Sequence, residues 1–96
     1  MITAFVLIRV APERLPEAAQ AIADIDGVSE VYSCAGDVDL IAIIRVAEHE
    51  ERAALVPAKL SKVAGVLGTD THIAFRSYSR TATEATFSIG MDDGDD

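Results

Sequence analysis

The residues best suited to chemistry lie in a short segment, 34–40, between two apolar runs. Gly36 stands there beside Asp37, and a second carboxylate follows at Asp39. A glycine lets the backbone approach a ligand and leaves amide N–H groups free for a carboxylate, while a neighbouring aspartate can pair with an ammonium. Because a free amino acid carries both groups, the segment is a candidate small-ligand site.

A simpler interpretation of this segment stays open at this point. Gly36-Asp37 is a dipeptide that hairpin turns favour, and Asp39 can be a solvated residue at the start of a strand. The periodicity of the sequence alone favours this simpler interpretation.

Other residue types that carry out chemistry are sparse. Cys34 is the single cysteine, and the two histidines, His49 and His72, are far apart in the sequence. Metal sites and activated nucleophiles need several such residues at characteristic spacing, which this sequence does not offer. We therefore expect no metal, no cofactor and no catalytic residue, and hence a protein that is not an enzyme.

Charge and composition restrict the partners. The net charge is −8, and four carboxylates lie among the last residues: Asp92, Asp93, Asp95 and Asp96. Without them the body still carries −4, which would repel a phosphate backbone, so we expect no direct contact with nucleic acid. The apolar N-terminal run is too short to span a membrane and is interrupted by Arg9, so we expect a cytoplasmic protein.

The elements that must position segment 34–40 alternate between strand and helix patterns. Strands are predicted at 2–10, 28–35, 38–46 and 66–78, and helices at 13–25 and 48–63. Only Gly36 and Asp37 separate the second and third strands, which predicts a hairpin. Pro57 lies inside the second helix, where a kink or a late start is expected.

The two halves of the chain repeat one pattern, a helix followed by Gly-Val and a strand, at Gly27-Val28 and at Gly65-Val66. This β-α-β-β-α-β order predicts an α+β, ferredoxin-like fold for a single domain, residues 1–90. Residues 81–89 could add a C-terminal edge strand, and 91–96 are predicted to be a disordered acidic tail.

In this fold both helices cover the same face of the sheet, yet the first strand is apolar on both of its faces and is expected to be buried on both. Exposure of its second face would forgo about 1.5–3 kcal/mol for each large side chain. We therefore predict that two sheets pack face to face in a dimeric α/β-barrel.

Two motifs resemble the effector-binding (RAM) domain of the Lrp/AsnC family, the leucine-responsive and asparagine-responsive feast/famine regulators. Segment 31–40 is similar to the family's turn of glycine, any residue, a usually aromatic residue, aspartate and leucine. Segment 65–73 is similar to the family's glycine-valine followed by spaced threonines. The resemblance extends over residues 2–80.

The resemblance implies paired-sheet dimers, four of which close into an octamer that holds amino-acid effectors between dimers. It implies backbone contacts from Gly36, an ammonium contact from Asp39, and threonines that line the facing subunit's part of the pocket. The implied ligand-binding residues are Ala35, Gly36, Asp37, Val38, Asp39, Thr69 and Thr71.

The sequence departs from the family pattern in two respects, the residues of the turn and the start of the chain. Val38 stands where an aromatic residue is common, Ala35 stands where threonine is common, and the additional Asp37 favours a ligand with a free cationic group. Full-length members carry a helix-turn-helix before this domain, whereas this chain begins at the first strand. We therefore expect a stand-alone sensing and oligomerisation domain that influences transcription through partners such as full-length relatives.

Three alternatives belong to other classes of protein. A purely structural assembly domain stays open, as does a small dimeric ferredoxin-like enzyme such as a monooxygenase. Such enzymes usually need a cluster of His, Asn, Trp or Tyr, and this chain has no Trp and only Tyr32 and Tyr78. An ACT-type regulatory domain is disfavoured because its signature glycine is missing from the loop at 11–14.

Overall fold

The computed structural model describes residues 1–47 and 52–80, which form one antiparallel sheet with two helices. The strands are β1 (Ile2–Val10), β2 (Val28–Ser33), β3 (Leu40–Val46) and β4 (Val66–Ala74). The helices are α1 (Leu15–Ala23), preceded by a 3-10 turn at Pro12–Arg14, and α2 (Arg52–Ser61). This order confirms the predicted α+β, ferredoxin-like fold.

The sheet has the order β2-β3-β1-β4, with every neighbouring pair antiparallel. The two central strands pair so that Val6 lies opposite Ala42, and on its other side Val6 lies opposite Thr71 of β4. A bulge between Arg9 and Val10 interrupts the β1–β4 register. β1 therefore separates the β2–β3 hairpin from β4.

The hydrophobic core lies between the sheet and the helices. Alternate residues of the central strands face this core, as the period of a strand requires. The buried residues are Ala4, Val6, Ile8 and Val10 in β1, Leu40, Ala42, Ile44 and Val46 in β3, Ala18 and Ile22 in α1, and Val56 and Leu60 in α2.

The other face of the sheet, here called the open sheet face, is not covered by any described element. Its apolar residues are Phe5, Leu7, Tyr32, Ile41 and Ile43. Phe5 is 37% exposed and Tyr32 53%, and the three aliphatic residues are half-buried. Within one chain β1 is therefore buried on one face, because both helices lie on the same side. Burial of its second face stays a prediction that needs another chain.

Several predicted boundaries differ from the observed ones. β2 ends at Ser33 and β3 begins at Leu40, so the hairpin connection is longer than Gly36-Asp37 alone. β4 ends at Ala74 instead of 78, and α1 ends at Ala23. Pro57 lies within α2. The predicted start of the second helix at 48, the edge strand at 81–89 and the tail at 91–96 lie outside the described residues.

Candidate functional site

The β2–β3 turn, residues 34–39, is closed by hydrogen bonds at its base. The Cys34 N–H donates to the Asp39 carbonyl oxygen at 2.9 Å, and the Asp39 N–H donates to the Ile8 carbonyl oxygen at 2.9 Å. These bonds confirm the predicted hairpin and attach the turn to β1 as well as to its own strands.

The tip of this turn is open. Gly36 has φ +140°, and a Cβ built on it would meet no atom within 4 Å. Ala35, Gly36 and Asp37 are exposed, whereas Val38 and Asp39 are half-buried. The tip therefore presents its backbone and the Asp37 carboxylate to any molecule that approaches from outside.

The Asp39 side chain has a partner within the fold. Its Oδ2 accepts a hydrogen bond from the Val10 N–H at 2.9 Å, across 29 positions of the sequence. The last paired residues of β1 and β3 are Ile8 and Leu40, so this carboxylate continues the strand pairing beyond its backbone end. Sequence reasoning missed this role, because an aspartate at the start of a predicted strand was the only local signal.

The end of β1 is also fixed on its other side. The Ala11 N–H donates to the Gly65 carbonyl oxygen at 2.9 Å, in the connection between α2 and β4. Val10 and Ala11 therefore join the β2–β3 turn to the segment that opens the second sequence motif.

The two threonines of the predicted site lie in β4. Thr69 lies opposite Ile8 and Thr71 opposite Val6, and both threonines are exposed. Because neighbouring strands are spaced by nearly 5 Å, β4 is about 10 Å from β3, with β1 between them. Within one chain the structure therefore brings Ala35, Gly36, Asp37, Val38 and Asp39 together but does not bring Thr69 and Thr71 to them.

Two shallow cavities lie at the other end of β1, away from the turn. One, of about 500 Å³, is on the helix side and is lined by Ile2, Ala4, Val46, Pro57, Thr71 and Ile73 among others. The second, of about 530 Å³, adjoins Phe5, Arg45 and Tyr78. Thr71 is the only predicted site residue among the residues that line these two cavities.

Some polar side chains outside the turn form exposed pairs. His72 Nε2 lies 3.1 Å from Asp70 Oδ2, and Arg45 lies 3.9 Å from Glu30. Among the described residues, no group of three or more metal-ligating side chains lies close enough to hold an ion. The described helices are also too short or too polar to cross a membrane.

The antiparallel sheet, its two helices and the exposed Gly-Asp turn define a small ferredoxin-like domain with a candidate ligand site. The sequence model of the Lrp/AsnC ligand-binding domain matches residues 3–83, and the chain belongs to this family. The resemblance inferred from segments 31–40 and 65–73 is thereby confirmed.

The chain is similar to curated transcriptional regulators and to proteins of solved structure. The HTH-type transcriptional regulator PF0250 of Pyrococcus furiosus is 42% identical over 76 residues, which cover 76% of this chain and 51% of the regulator. The chain thus spans about half the length of the curated relatives it matches. The structure of TTHA0845 from Thermus thermophilus has a TM-score of 0.73 at 44% identity and covers 83% of this chain and 100% of its own.

A more distant structure is that of the transcriptional regulator NMB0573 from Neisseria meningitidis, solved as an L-Met complex. Its TM-score is 0.68 at 14% identity, with 82% of this chain and 53% of the regulator covered. At this identity the likeness shows the fold alone.

Proposed function

We propose that this chain is a non-catalytic domain that senses a free amino acid at the β2–β3 turn and assembles into oligomers. The observation that carries the proposal is the open Gly36 backbone beside the exposed Asp37 carboxylate. Membership of the Lrp/AsnC ligand-binding domain family supports a small-molecule effector. The L-Met complex of the Neisseria regulator supplies a precedent for an amino acid bound by a protein of this fold.

The chemistry of the turn suits both ends of an amino acid. Gly36 has no Cβ, and the place that a Cβ would occupy has no atom of the rest of the fold within 4 Å, so a carboxylate can approach the backbone of the tip. An aspartate one residue away offers a charge-assisted hydrogen bond to an ammonium. The turn alone encloses little of a ligand, so it needs a second surface to exclude water.

A second subunit supplies that surface in this proposal. Thr69 and Thr71 are exposed and are separated from their own turn by β1. Their hydroxyl groups can both donate and accept hydrogen bonds. The ligand would therefore lie between the turn of one chain and β4 of another, which makes ligand binding depend on assembly, up to the octamer that the family resemblance implies.

The open sheet face supports pairing of two chains. Phe5, Leu7, Ile41 and Ile43 form a continuous apolar patch on the central strands. Association that buries such a patch stabilises the assembly by about 25 cal/mol for each Å² of apolar surface removed from water. Face-to-face packing of two sheets would bury the second face of β1, which the helices leave uncovered.

An effect on transcription would pass through partner proteins. The net charge of −8 opposes direct contact with nucleic acid. The curated relatives are named HTH-type transcriptional regulators and are about twice as long as the matched region. Co-assembly with such full-length relatives would place an amino-acid signal beside a DNA-binding domain.

The sensing function is tested by thermal unfolding in the presence of each of the twenty amino acids. A ligand at a hundred times its Kd should stabilise the folded state by about 2.7 kcal/mol. The double variant Thr69→Val and Thr71→Val, which removes two hydroxyl groups at nearly constant volume, should lose this shift. Ser29→Ala, an exposed hydroxyl deletion in β2, is the control. If no amino acid shifts the transition, the structural assembly alternative replaces the sensing function.

The assembly is tested by sedimentation velocity. We expect the wild-type chain to sediment as a dimer or a larger oligomer and Ile43→Glu to sediment as a monomer, because a charge in the open sheet face would be buried without a partner. Ala21→Glu, on the exposed surface of α1, is the matched control. Retention of the wild-type mass by Ile43→Glu would show that the chains do not pair through this face.

A further inference from the structure

Asp39 connects three segments of the chain through hydrogen bonds of equal length. Its N–H donates to the Ile8 carbonyl oxygen, its carbonyl oxygen accepts from the Cys34 N–H, and its Oδ2 accepts from the Val10 N–H, each at 2.9 Å. The backbone of Asp39 thus closes the β2–β3 turn, while its side chain holds the last residue of β1.

The Val10 N–H depends on this side chain. Val10 is 2% exposed, and the strand pairing of β1 with β3 ends at Ile8 and Leu40. A buried backbone N–H without an acceptor destabilises the folded state. The bond between Val10 and Asp39 also fixes the position of the turn relative to the end of β1. On the other side of β1, the bond between the Ala11 N–H and the Gly65 carbonyl oxygen holds the same end of the strand.

The two aspartates of the turn differ in what they can offer a ligand. Asp39 is half-buried and one of its oxygens is engaged by Val10. Asp37 is exposed, lies beside the open backbone of Gly36, and has no hydrogen-bond partner among residues 1–47 and 52–80. A cationic group can therefore approach Asp37 without disturbing the strand pairing.

We propose that Asp39 is a positioning residue, which holds the turn against the end of β1, and that Asp37 is the carboxylate that meets the cationic group of the ligand. This inference rests on the proposed amino-acid site but assigns its roles differently from the family resemblance. It also makes Asp37 a determinant of ligand specificity, because the residue at this position decides whether the turn carries a negative charge beside Gly36.

Three variants separate the two roles. Asp39→Asn keeps a side-chain oxygen that can accept the Val10 N–H but removes the charge, whereas Asp39→Ala removes both. Asp37→Asn removes the exposed charge and leaves Asp39 intact. The first readout is amide hydrogen exchange of Val10 without ligand, and the second is the thermal shift produced by a mixture of the twenty amino acids.

We expect Asp39→Ala to accelerate exchange of the Val10 amide by about tenfold, because the amide loses its acceptor. Asp39→Asn should restore slow exchange and keep the thermal shift. Asp37→Asn should leave Val10 exchange unchanged and lose the shift. If Asp39→Ala does not fold, the comparison of Asp39→Asn with Asp37→Asn decides the assignment.

Two results would overturn the inference. Unchanged Val10 exchange in a folded Asp39→Ala would exclude the positioning role. Loss of the thermal shift in Asp39→Asn, with Val10 still protected, would assign the ligand's cation to Asp39. A wild-type chain that shows no shift with any amino acid overturns the proposed function and the role of Asp37, while the exchange data still decide the positioning role.

Discussion

Gly27 and Gly36 are two of the turn glycines at positive φ, and their surroundings are opposite. Gly27, between α1 and β2, has φ +103°, and Gly36, in the β2–β3 turn, has φ +140°. A Cβ on Gly27 would lie 2.8 Å from Val56 Cγ2 and 3.4 Å from Val46 Cγ1, whereas a Cβ on Gly36 would meet nothing within 4 Å. Packing within the chain therefore requires a glycine at position 27 but does not require one at position 36.

This difference separates a glycine that packing within the fold requires from a glycine whose surroundings leave space for another molecule. Gly27 also accepts a backbone hydrogen bond from Arg45 at 3.2 Å, which ties the turn to β3. Gly36 is exposed at the tip of its turn. The backbone conformation alone does not distinguish them, and only their neighbours show which turn belongs to the core.

The largest effect is expected for Gly27→Ala. The added methyl group would be both strained at positive φ and in collision with Val56, which is 1% exposed. These two costs together should lower the free energy of unfolding by about 2–5 kcal/mol. Urea denaturation measures this loss, and a decrease below about 1 kcal/mol would mean that α2 can shift away from the turn at little cost.

A smaller loss of stability is expected for Gly36→Ala, because only the backbone strain remains. The free energy of unfolding should fall by about 1–2 kcal/mol, while the thermal shift produced by an amino acid should disappear. Urea denaturation and the ligand screen give these two values. If Gly36→Ala lowers the free energy of unfolding as much as Gly27→Ala does, the two turns do not differ in how far the fold requires a glycine.

Gly68→Ala is the control for these two variants and should have the smallest effect on stability. Gly68 does not have positive φ, and the added methyl group would meet the guanidinium end of the Arg9 side chain. That end can move, so we expect the free energy of unfolding to change by less than about 1 kcal/mol. A larger loss would show that Arg9 is held rigidly against β4.

Local sequence patterns predicted much of the fold. The alternation of apolar residues in β1 and β3 and the repeated Gly-Val pairs at Gly27 and Gly65 predicted the element order, and the Gly-Asp pair predicted the hairpin. The boundaries of the hairpin were less accurate. β3 begins at Leu40, whereas the predicted strand included Val38 and Asp39. Asp39 bonds β1 through its side chain as well as its backbone.

The role of Asp39 could not be predicted from the sequence because it depends on Val10, which is 29 positions away. Strand pairing brings the two residues together, and no local pattern around either of them indicates the contact. The site that combines the turn with Thr69 and Thr71 also stays a prediction, since it needs the surface of another chain.

The hydrogen bonds at the base of the β2–β3 turn have a consequence for how such domains can diverge. Because Cys34 is bonded to Asp39, and Asp39 is bonded to β1, residues 35–38 form a cassette that can be replaced while the base of the turn stays in place. Substitutions in this cassette would alter what the turn recognises without refolding the sheet. Ligand preference could thus drift among relatives, or be selected from a library at these positions, while the fold is inherited unchanged.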